Sequence, residues 1–281
     1  MSDSQAVMHL CVFGGGPGYG RSAKRLVKQA KKSGLFSSCR YIMDFDLASL
    51  LPETLTHIRR IQSIQKNNLG FGLWFWKPDV ILEAMSQTRE NEITVYMDAG
   101  CSLNLKTDSS IERLNGYAQN ALHNGLFAMQ LWDGEFGQKD LSDNYWGFSE
   151  LNNLLQVDSD ALKSNQIQAG VMFIKNCDSS RQLIQNWKDI MILDNYKYLV
   201  GPKDKKYRYD QSIFSLIYKK TGLPTIPDES YFYPYWEADG RNFPIWATRI
   251  NDGVDPFKFN VGDYVYRIKR KILLLKNHGK R

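Results

Sequence analysis

Three polar or glycine-rich stretches follow segments that have the apolar pattern of buried strands. They are residues 14–20, 44–46 and 98–100, and the last two begin with an aspartate. A hard divalent cation binds carboxylate oxygens together with substrate phosphates, and small residues let a diphosphate come close to the backbone. Asp98, which is followed by alanine and glycine, is therefore a candidate metal or diphosphate site. An aspartate in this position can also simply cap the next helix.

The alternation of strand and helix patterns predicts the elements that must position these stretches. The predicted strands are 7–13, 41–43, 93–97, 126–131 and 167–174, and the predicted helices are 23–33, one from Pro78, 111–122 and 181–191. Such alternation is typical of an α/β fold with a mixed, mainly parallel sheet flanked by helices. Because ligands collect at the carboxyl ends of strands in open sheets, the three stretches are expected to meet at one edge.

The composition describes an ordinary globular chain with an uneven distribution of charge. The 281 residues carry a formal net charge of +6, with 43% hydrophobic and 23% charged residues, which excludes collagen-like and disordered classes. Residues 267–281 hold seven lysines and arginines and no acid, so the rest of the chain is close to neutral. We predict one domain over residues 1–266 and a basic tail over 267–281. That tail is either a solvated end or a contact for an anionic membrane surface.

The cysteines and the N-terminus bear on the cellular compartment. The four cysteines form no C-x-x-C pair, and the N-terminus lacks the charged and then apolar pattern of a signal peptide. No window approaches the roughly 20 apolar residues of a membrane span. A reducing, cytoplasmic setting is expected.

Two other classes of function have some support in the residues. Gly18, Gly20 and Ala23 match the dinucleotide pattern G-x-G-x-x-A, and Asp44 follows at about the expected distance. This pattern would suit an NAD(P)-dependent oxidoreductase, although it begins several residues after the predicted strand. The basic tail and a basic first helix would suit a noncatalytic module that binds nucleic acid.

Four strings, in this order, resemble a group of bacterial and viral glycosyltransferases of the GT-A fold. They are residues 70–78 (Gly-Phe-Gly-Leu-Trp-Phe-Trp-Lys-Pro), 96–101 (Tyr-Met-Asp-Ala-Gly-Cys), 209–215 (Tyr-Asp-Gln-Ser-Ile-Phe-Ser) and 246–249 (Trp-Ala-Thr-Arg). The resemblance covers roughly residues 7–250. It implies a GT-A-like, Rossmann-like fold, a bacterial or viral origin, and hexosyltransferase-type chemistry.

The resemblance also implies the substrates and the cofactor. The donor would be a nucleotide sugar, most often a uridine diphosphate (UDP) sugar, and the acceptor a hydroxyl of a carbohydrate or similar molecule, with no nucleic acid as partner. A divalent metal, Mn²⁺ or alternatively Mg²⁺, would bridge the diphosphate to Asp98. The usual motif is Asp-x-Asp, and Gly100 stands here at its third position. His278 is similar in placement to a late metal-ligating histidine of some relatives.

The resemblance finally assigns roles to individual residues. Asp210 and Glu135 would serve the acceptor, with Asp210 either a general base in an inverting reaction or a stabiliser of positive charge in a retaining one. The residues expected around the donor are Gly14, Gly15, Tyr19, Asp44, Trp76, Lys77, Gly100, Gln168, Gly170, Gln211 and Arg249. Read from the residues alone, Trp76 could belong to the core, Lys77 could extend to solvent, and Asp210 could be a helix cap.

Overall fold

A five-stranded mixed sheet forms the centre of the fold. The computed structural model describes residues 6–65, 69–133, 135–233 and 236–253. The strands are β1 Met8–Gly14, β2 Ser38–Met43, β3 Ile93–Met97, β4 Ser102–Leu103, β5 Leu126–Gln130, β6 Ile167–Lys175 and β7 Ile245–Trp246. The central order is β2-β1-β3-β6-β5, and β4 pairs with β7 in a separate ribbon. The five predicted strands are therefore present, with β3 at its predicted bounds.

Four of the five central strands run in the same direction, which confirms the prediction of a mainly parallel sheet. Strand β1 is parallel to β2 and β3, whereas β6 is antiparallel to both of its neighbours, β3 and β5. Because β6 is reversed, its amino-terminal residues lie beside the carboxyl end of β3. The N–H of Asp98 donates to the carbonyl of Gly170 at 2.8 Å.

Helices cover both faces of the sheet. They are α1 Gly16–Ser33, α2 Leu47–Leu50, α3 Pro52–Ile64, α4 Gly70–Leu73, α5 Trp76–Ser86, α6 Asp108–Asn124, α7 Asp143–Trp146, α8 Ser149–Leu155, α9 Ser159–Lys163, α10 Asp178–Val200 and α11 Tyr209–Lys220. Helix α1 ends at Ser33, as predicted, and Gly34 directly after it has a φ of 69°, the left-handed conformation that favours glycine. Helix α10 is interrupted at residues 193–196, and α3 and α8 were not predicted.

Alternate side chains of the strands feed two hydrophobic cores. Phe13 and Tyr96 point to the side covered by α5, α10 and α11, and Val12 and Val95 point to the side covered by α1 and α6. Successive side chains of a strand point to opposite faces of the sheet, so each central strand is buried on both faces. Because both faces of the sheet are buried, polar side chains can gather only in the loops at the ends of the strands.

The predicted tail, residues 267–281, lies outside the described residues, as does His278. Within the described part of the chain, no helix combines the length and the apolar character that a membrane crossing requires.

Candidate functional site

A cavity of about 830 Å³ opens at the edge of the sheet where the strand ends meet. It is lined by these predicted site residues: Gly15, Tyr19, Asp44, Trp76, Lys77, Asp98, Gly100, Gln168, Gly170, Asp210, Gln211 and Arg249. Gly14 and Glu135 are not part of the wall, and His278 is outside the described residues. The structure thus brings together residues from all four strings that carry the sequence resemblance.

Lys77 lies at the centre of this site and is only 3% exposed. Its Nζ is 2.8 Å from Asp210 Oδ2 and 3.5 Å from Asp98 Oδ1, and it donates to the carbonyl of Ala169 at 3.0 Å. Burial acts to lower the pKa of Lys77, but the two carboxylates outweigh burial and raise it. Lys77 therefore does not extend to solvent. It is a fixed positive charge between two carboxylates.

Asp210 is the buried partner of that charge, in the first turn of α11. Burial raises the pKa of Asp210 to about 6, while the ammonium of Lys77 acts in the opposite direction. The carboxyl is consequently ionised at pH 7. The capping position of α11 belongs to Arg208, so the side chain of Asp210 serves the ion pair and does not cap the helix.

Asp98 presents a half-exposed carboxylate to the cavity, with 41% of its side chain accessible. The hydroxyl of Tyr96 donates to its Oδ1 at 2.6 Å. A Cβ at Gly170 would lie 2.9 Å from its Oδ2, and a Cβ at Gly100 would lie 2.9 Å from the Cα of Arg249. Glycine is thus needed at both positions for the strand end, β6 and the 248–249 segment to approach one another so closely.

The residues around Asp98 supply one carboxylate for a metal ion. Within the ranges that the structure describes, no cluster of three or more histidine, cysteine, aspartate or glutamate side chains could hold a metal ion. Ions of the Mg²⁺ type are usually bound by one or two carboxylates plus substrate phosphates and water. The half-exposed carboxylate of Asp98 meets that minimum, so the site fits an ion that arrives with a diphosphate.

The glycine-rich turn is organised around Asp44. Its Oδ2 accepts the N–H of Gly16 at 2.9 Å, and its Oδ1 accepts the N–H of Phe45 at 3.1 Å. Gly18 and Gly20 lie inside α1, where a Cβ would collide with the carbonyl of Asn251 and the side chain of Met43, respectively. Both glycines therefore serve packing of the helix and do not form a loop around a pyrophosphate. The dinucleotide hypothesis is not favoured.

Trp76 belongs both to the core and to the site. Its ring stacks on Phe13 with centroids 4.0 Å apart, and its Nε1 donates to the carbonyl of Gly70 at 3.1 Å. The side chain is 6% exposed, yet part of it forms the cavity wall. The two interpretations offered for this tryptophan, core and donor pocket, are compatible.

A buried pair of carboxyl groups, Glu135 and Asp228, adjoins the cavity. Asp228 lines the wall and accepts from Gln168 Nε2 at 3.0 Å and from the hydroxyl of Ser230 at 2.6 Å. Glu135 is fully buried, in contact with Asp228, and accepts the N–H of Trp132 at 3.1 Å. Burial raises the pKa of both groups. Asp228 raises the pKa of Glu135 further, whereas the hydrogen bond with Glu135 acts to lower the pKa of Asp228, so the pair holds a proton at neutral pH.

Asp228 is a buried carboxyl group of the cavity wall that sequence reasoning missed. It lies in a loop after Pro227, where its N–H donates to the carbonyl of Gln130 at 2.7 Å. No strand pattern precedes it, so no periodic signal could have identified it.

The carboxyl pair predicts how stability depends on pH. The pKa of Glu135 is raised to about 9, above its value in the unfolded chain. The stability that this group contributes is thus fully present below about pH 4.5 and is lost as the pH rises through about 9. Asp228 opposes ionisation of Glu135, while the guanidinium of Arg208 and the Trp132 N–H favour it. Glu135→Gln should therefore raise the free energy of unfolding by roughly 1 to 3 kcal/mol at pH 9 and change it little at pH 4.

Urea unfolding of both proteins across this pH range measures the difference. The matched control is Glu112→Gln, which makes the same change at an exposed position of α6. A difference between Glu135→Gln and the parent protein that does not grow with pH would contradict the shared proton.

The chain is similar to known proteins in fold and not in sequence. No protein-family model and no curated protein sequence matches the chain. Among solved structures, the fold is similar to mouse xyloside xylosyltransferase 1 in its apo form, at 12% identity and a TM-score of 0.44, over 89% of this chain and 100% of that one. It is also similar to a glycosyltransferase involved in glycosylation of the major capsid of PBCV-1, at 11% identity and a TM-score of 0.39, over 85% and 91% of the two chains. Both neighbours are glycosyltransferases.

Proposed function

We propose that the protein is a GT-A-type glycosyltransferase that moves a sugar from a UDP-sugar to a hydroxyl group of a glycan or similar acceptor. The observation that carries the proposal is the buried ammonium of Lys77, held between Asp98 and Asp210 in the wall of a cavity at the carboxyl edge of the sheet. A fixed cation beside an accessible carboxylate is suited to a leaving diphosphate. The volume of about 830 Å³ is within the usual range for ligand pockets.

The donor would lie along the cavity from β2 towards β6. Gly15, Tyr19 and Asp44 would border the nucleoside, with the Asp44 carboxylate able to accept from the N–H of a uracil ring. Lys77 and Arg249 would neutralise the diphosphate. Tyr19 is 46% exposed and lines the cavity, so its ring is available to a base.

Asp98 would hold a divalent ion, Mn²⁺ or Mg²⁺, which when bound supplies positive charge to the departing diphosphate. Lys77 acts on the same charge from the protein side. Because its Nζ is fixed by Asp210 and the carbonyl of Ala169, it needs little reorganisation during the reaction.

Asp210 would act on the acceptor or on the reacting sugar. An ionised carboxylate suits a general base in an inverting reaction and a stabiliser of oxocarbenium-like charge in a retaining one. Glu135 would contribute through Asp228, since Asp228 lines the cavity and Glu135 lies buried against it.

A panel of nucleotides tests the proposal by ligand-dependent thermal stability. UDP with Mn²⁺ should raise the melting temperature by several degrees when its concentration is about 100 times its Kd. GDP, CDP and ADP serve as matched diphosphates, and each is measured with Mn²⁺ and with a chelator. Protection by NAD(H) or NADP(H) without protection by UDP would support the oxidoreductase and contradict the transferase.

A further inference from the structure

The side chain of Gln168 is held in one orientation in the cavity wall, where it is only 6% exposed. Its Nε2 donates to Asp228 Oδ1 at 3.0 Å and to the hydroxyl oxygen of Ser230 at 3.3 Å. The N–H of Ser230 donates to the same Oδ1 at 2.8 Å, which marks this oxygen as an acceptor. Because Asp228 accepts from the amide nitrogen of Gln168, the amide oxygen, Oε1, lies on the side away from Asp228.

The Oε1 of Gln168 and the carboxylate of Asp98 lie on either side of Gly170. Residues 168 and 170 are two positions apart in β6, so they belong to the same face of that strand. A Cβ at Gly170 would be 3.6 Å from Gln168 Oε1 and 2.9 Å from Asp98 Oδ2. The missing side chain of Gly170 therefore leaves a space that two oxygen atoms border.

Asp98 makes its contacts within the protein through its other oxygen. Its Oδ1 accepts the hydroxyl of Tyr96 at 2.6 Å and lies 3.5 Å from Lys77 Nζ. In the part of the chain that the structure describes, no hydrogen bond reaches Asp98 Oδ2 or Gln168 Oε1. Lys77 is also shared with Asp210, at the shorter distance of 2.8 Å, so it compensates the charge of Asp98 only in part. Both oxygens beside Gly170 are thus available to a cation.

We infer that Gln168 Oε1 and Asp98 Oδ2 together bind the divalent cation beside Gly170. Hard divalent cations take carboxylate and amide carbonyl oxygens as ligands. Gln168 would supply the second oxygen that an Asp-x-Asp motif provides at its third position, where this chain has Gly100. The link of this ion to a nucleotide rests on the proposed glycosyltransferase function, whereas the cation site itself does not.

The hydrogen bonds behind Gln168 would orient it as a ligand. Contacts of this kind fix the direction of a metal-binding oxygen and contribute to metal affinity. Glu135 is fully buried against Asp228, so the carboxyl pair lies directly behind the Gln168 amide. An amide carries no charge, and the site should therefore bind a free ion weakly and an ion that arrives with phosphate more tightly.

Titration of the protein with Mn²⁺, followed by the electron paramagnetic resonance signal of the free ion, tests the site. Each protein is titrated with Mn²⁺ alone, with inorganic pyrophosphate present and with UDP present. Gln168→Met removes the oxygen and Gln168→Glu keeps one, while both variants lose the hydrogen bonds that Nε2 donates to Asp228 and Ser230. Gln168→Met should weaken Mn²⁺ binding roughly 10- to 100-fold, and Gln168→Glu should bind Mn²⁺ at least as tightly as the unaltered protein.

Two further variants complete the comparison. Gln182→Met makes the same chemical change at an exposed position of α10, outside the wall of this cavity, and should leave Mn²⁺ binding unchanged. Gln168→Asn keeps the amide but withdraws its oxygen by one carbon, so it should weaken Mn²⁺ binding and tests the site if Gln168→Met does not fold. UDP carries no sugar, so a role of Gln168 confined to the transferred sugar would leave all these affinities unchanged.

Three results would overturn the cation site. The first is equal affinity for Mn²⁺ in Gln168→Met and the unaltered protein. The second is a loss in Gln168→Glu as large as that in Gln168→Met, which would assign the effect to the hydrogen bonds behind Gln168. The third is that the unaltered protein binds no Mn²⁺ in any of the three conditions. If pyrophosphate strengthens Mn²⁺ binding and UDP does not, the proposed donor is contradicted, and the Gln168 variants measured with pyrophosphate still decide the cation site.

Discussion

Replacing Lys77 with methionine should lower the free energy of unfolding by about 3 to 5 kcal/mol near pH 8, because it leaves Asp210 as a buried charge without its partner. The loss should be smaller near pH 5. The pKa of Asp210 is already raised to about 6 beside Lys77, so without the ammonium the carboxyl is protonated at that pH and no charge is stranded. Denaturant unfolding at the two pH values measures both effects.

The controls for Lys77→Met separate loss of an ion pair from loss of a lysine. Lys163→Met makes the same substitution in the exposed pair with Asp160, where the side chains are 67% and 88% accessible, and should change stability little. Lys77→Met combined with Asp210→Asn removes both charges and should recover much of the lost stability. Equal losses in Lys77→Met and Lys163→Met would contradict the buried pair.

Replacing Asp98 with alanine should abolish transfer, with a loss of roughly 100- to 1,000-fold or more in kcat. The fold should persist, because Lys77 retains Asp210 at 2.8 Å and the carbonyl of Ala169 at 3.0 Å. The affinity for UDP measured with Mn²⁺ should fall to the value measured with a chelator. Calorimetric titration of UDP in both conditions and a transfer assay test these expectations.

Two further variants sharpen the test of Asp98. Asp98→Asn preserves the size of the side chain and an oxygen for the hydroxyl of Tyr96, so any loss in this variant reflects the charge. Asp160→Ala removes an exposed aspartate outside the cavity wall and should leave both UDP affinity and transfer unchanged. Unchanged metal-dependent affinity for UDP in Asp98→Ala would show that the assignment of Asp98 is wrong.

Lys77→Met and Asp98→Ala test a buried and an accessible part of the same site. Lys77 and Asp210 are buried, so their pairing governs stability as well as charge in the cavity. Asp98 is accessible, so its removal affects ligands more than folding. Buried ion pairs rarely add to stability compared with well-packed apolar residues. Their presence in the wall of a cavity is consistent with a functional reason for keeping the charge.

The amino-acid sequence by itself determined the local elements and the edge at which the site lies. Strand β3 and the glycine end of α1 follow from short-range apolar periodicity and from the conformational preference of glycine, both of which are readable within about ten residues. The placement of Asp44 and Asp98 at strand ends followed in the same way. Local pattern therefore located the glycine-rich turn, Asp44 and Asp98, whereas the other predicted residues of the cavity wall came from the resemblance of the four strings.

Only the tertiary structure decided which of these residues face one another. The reversed direction of β6 brings Gly170 beside Asp98, and the packing of α11 on α10 and β6 brings Asp210 to Lys77. The proton shared by Glu135 and Asp228 depends on a loop with no periodic pattern. Pairings of this kind are set by long-range packing and by the exclusion of water, which change the charge state of a side chain and cannot be read from its neighbours in the chain.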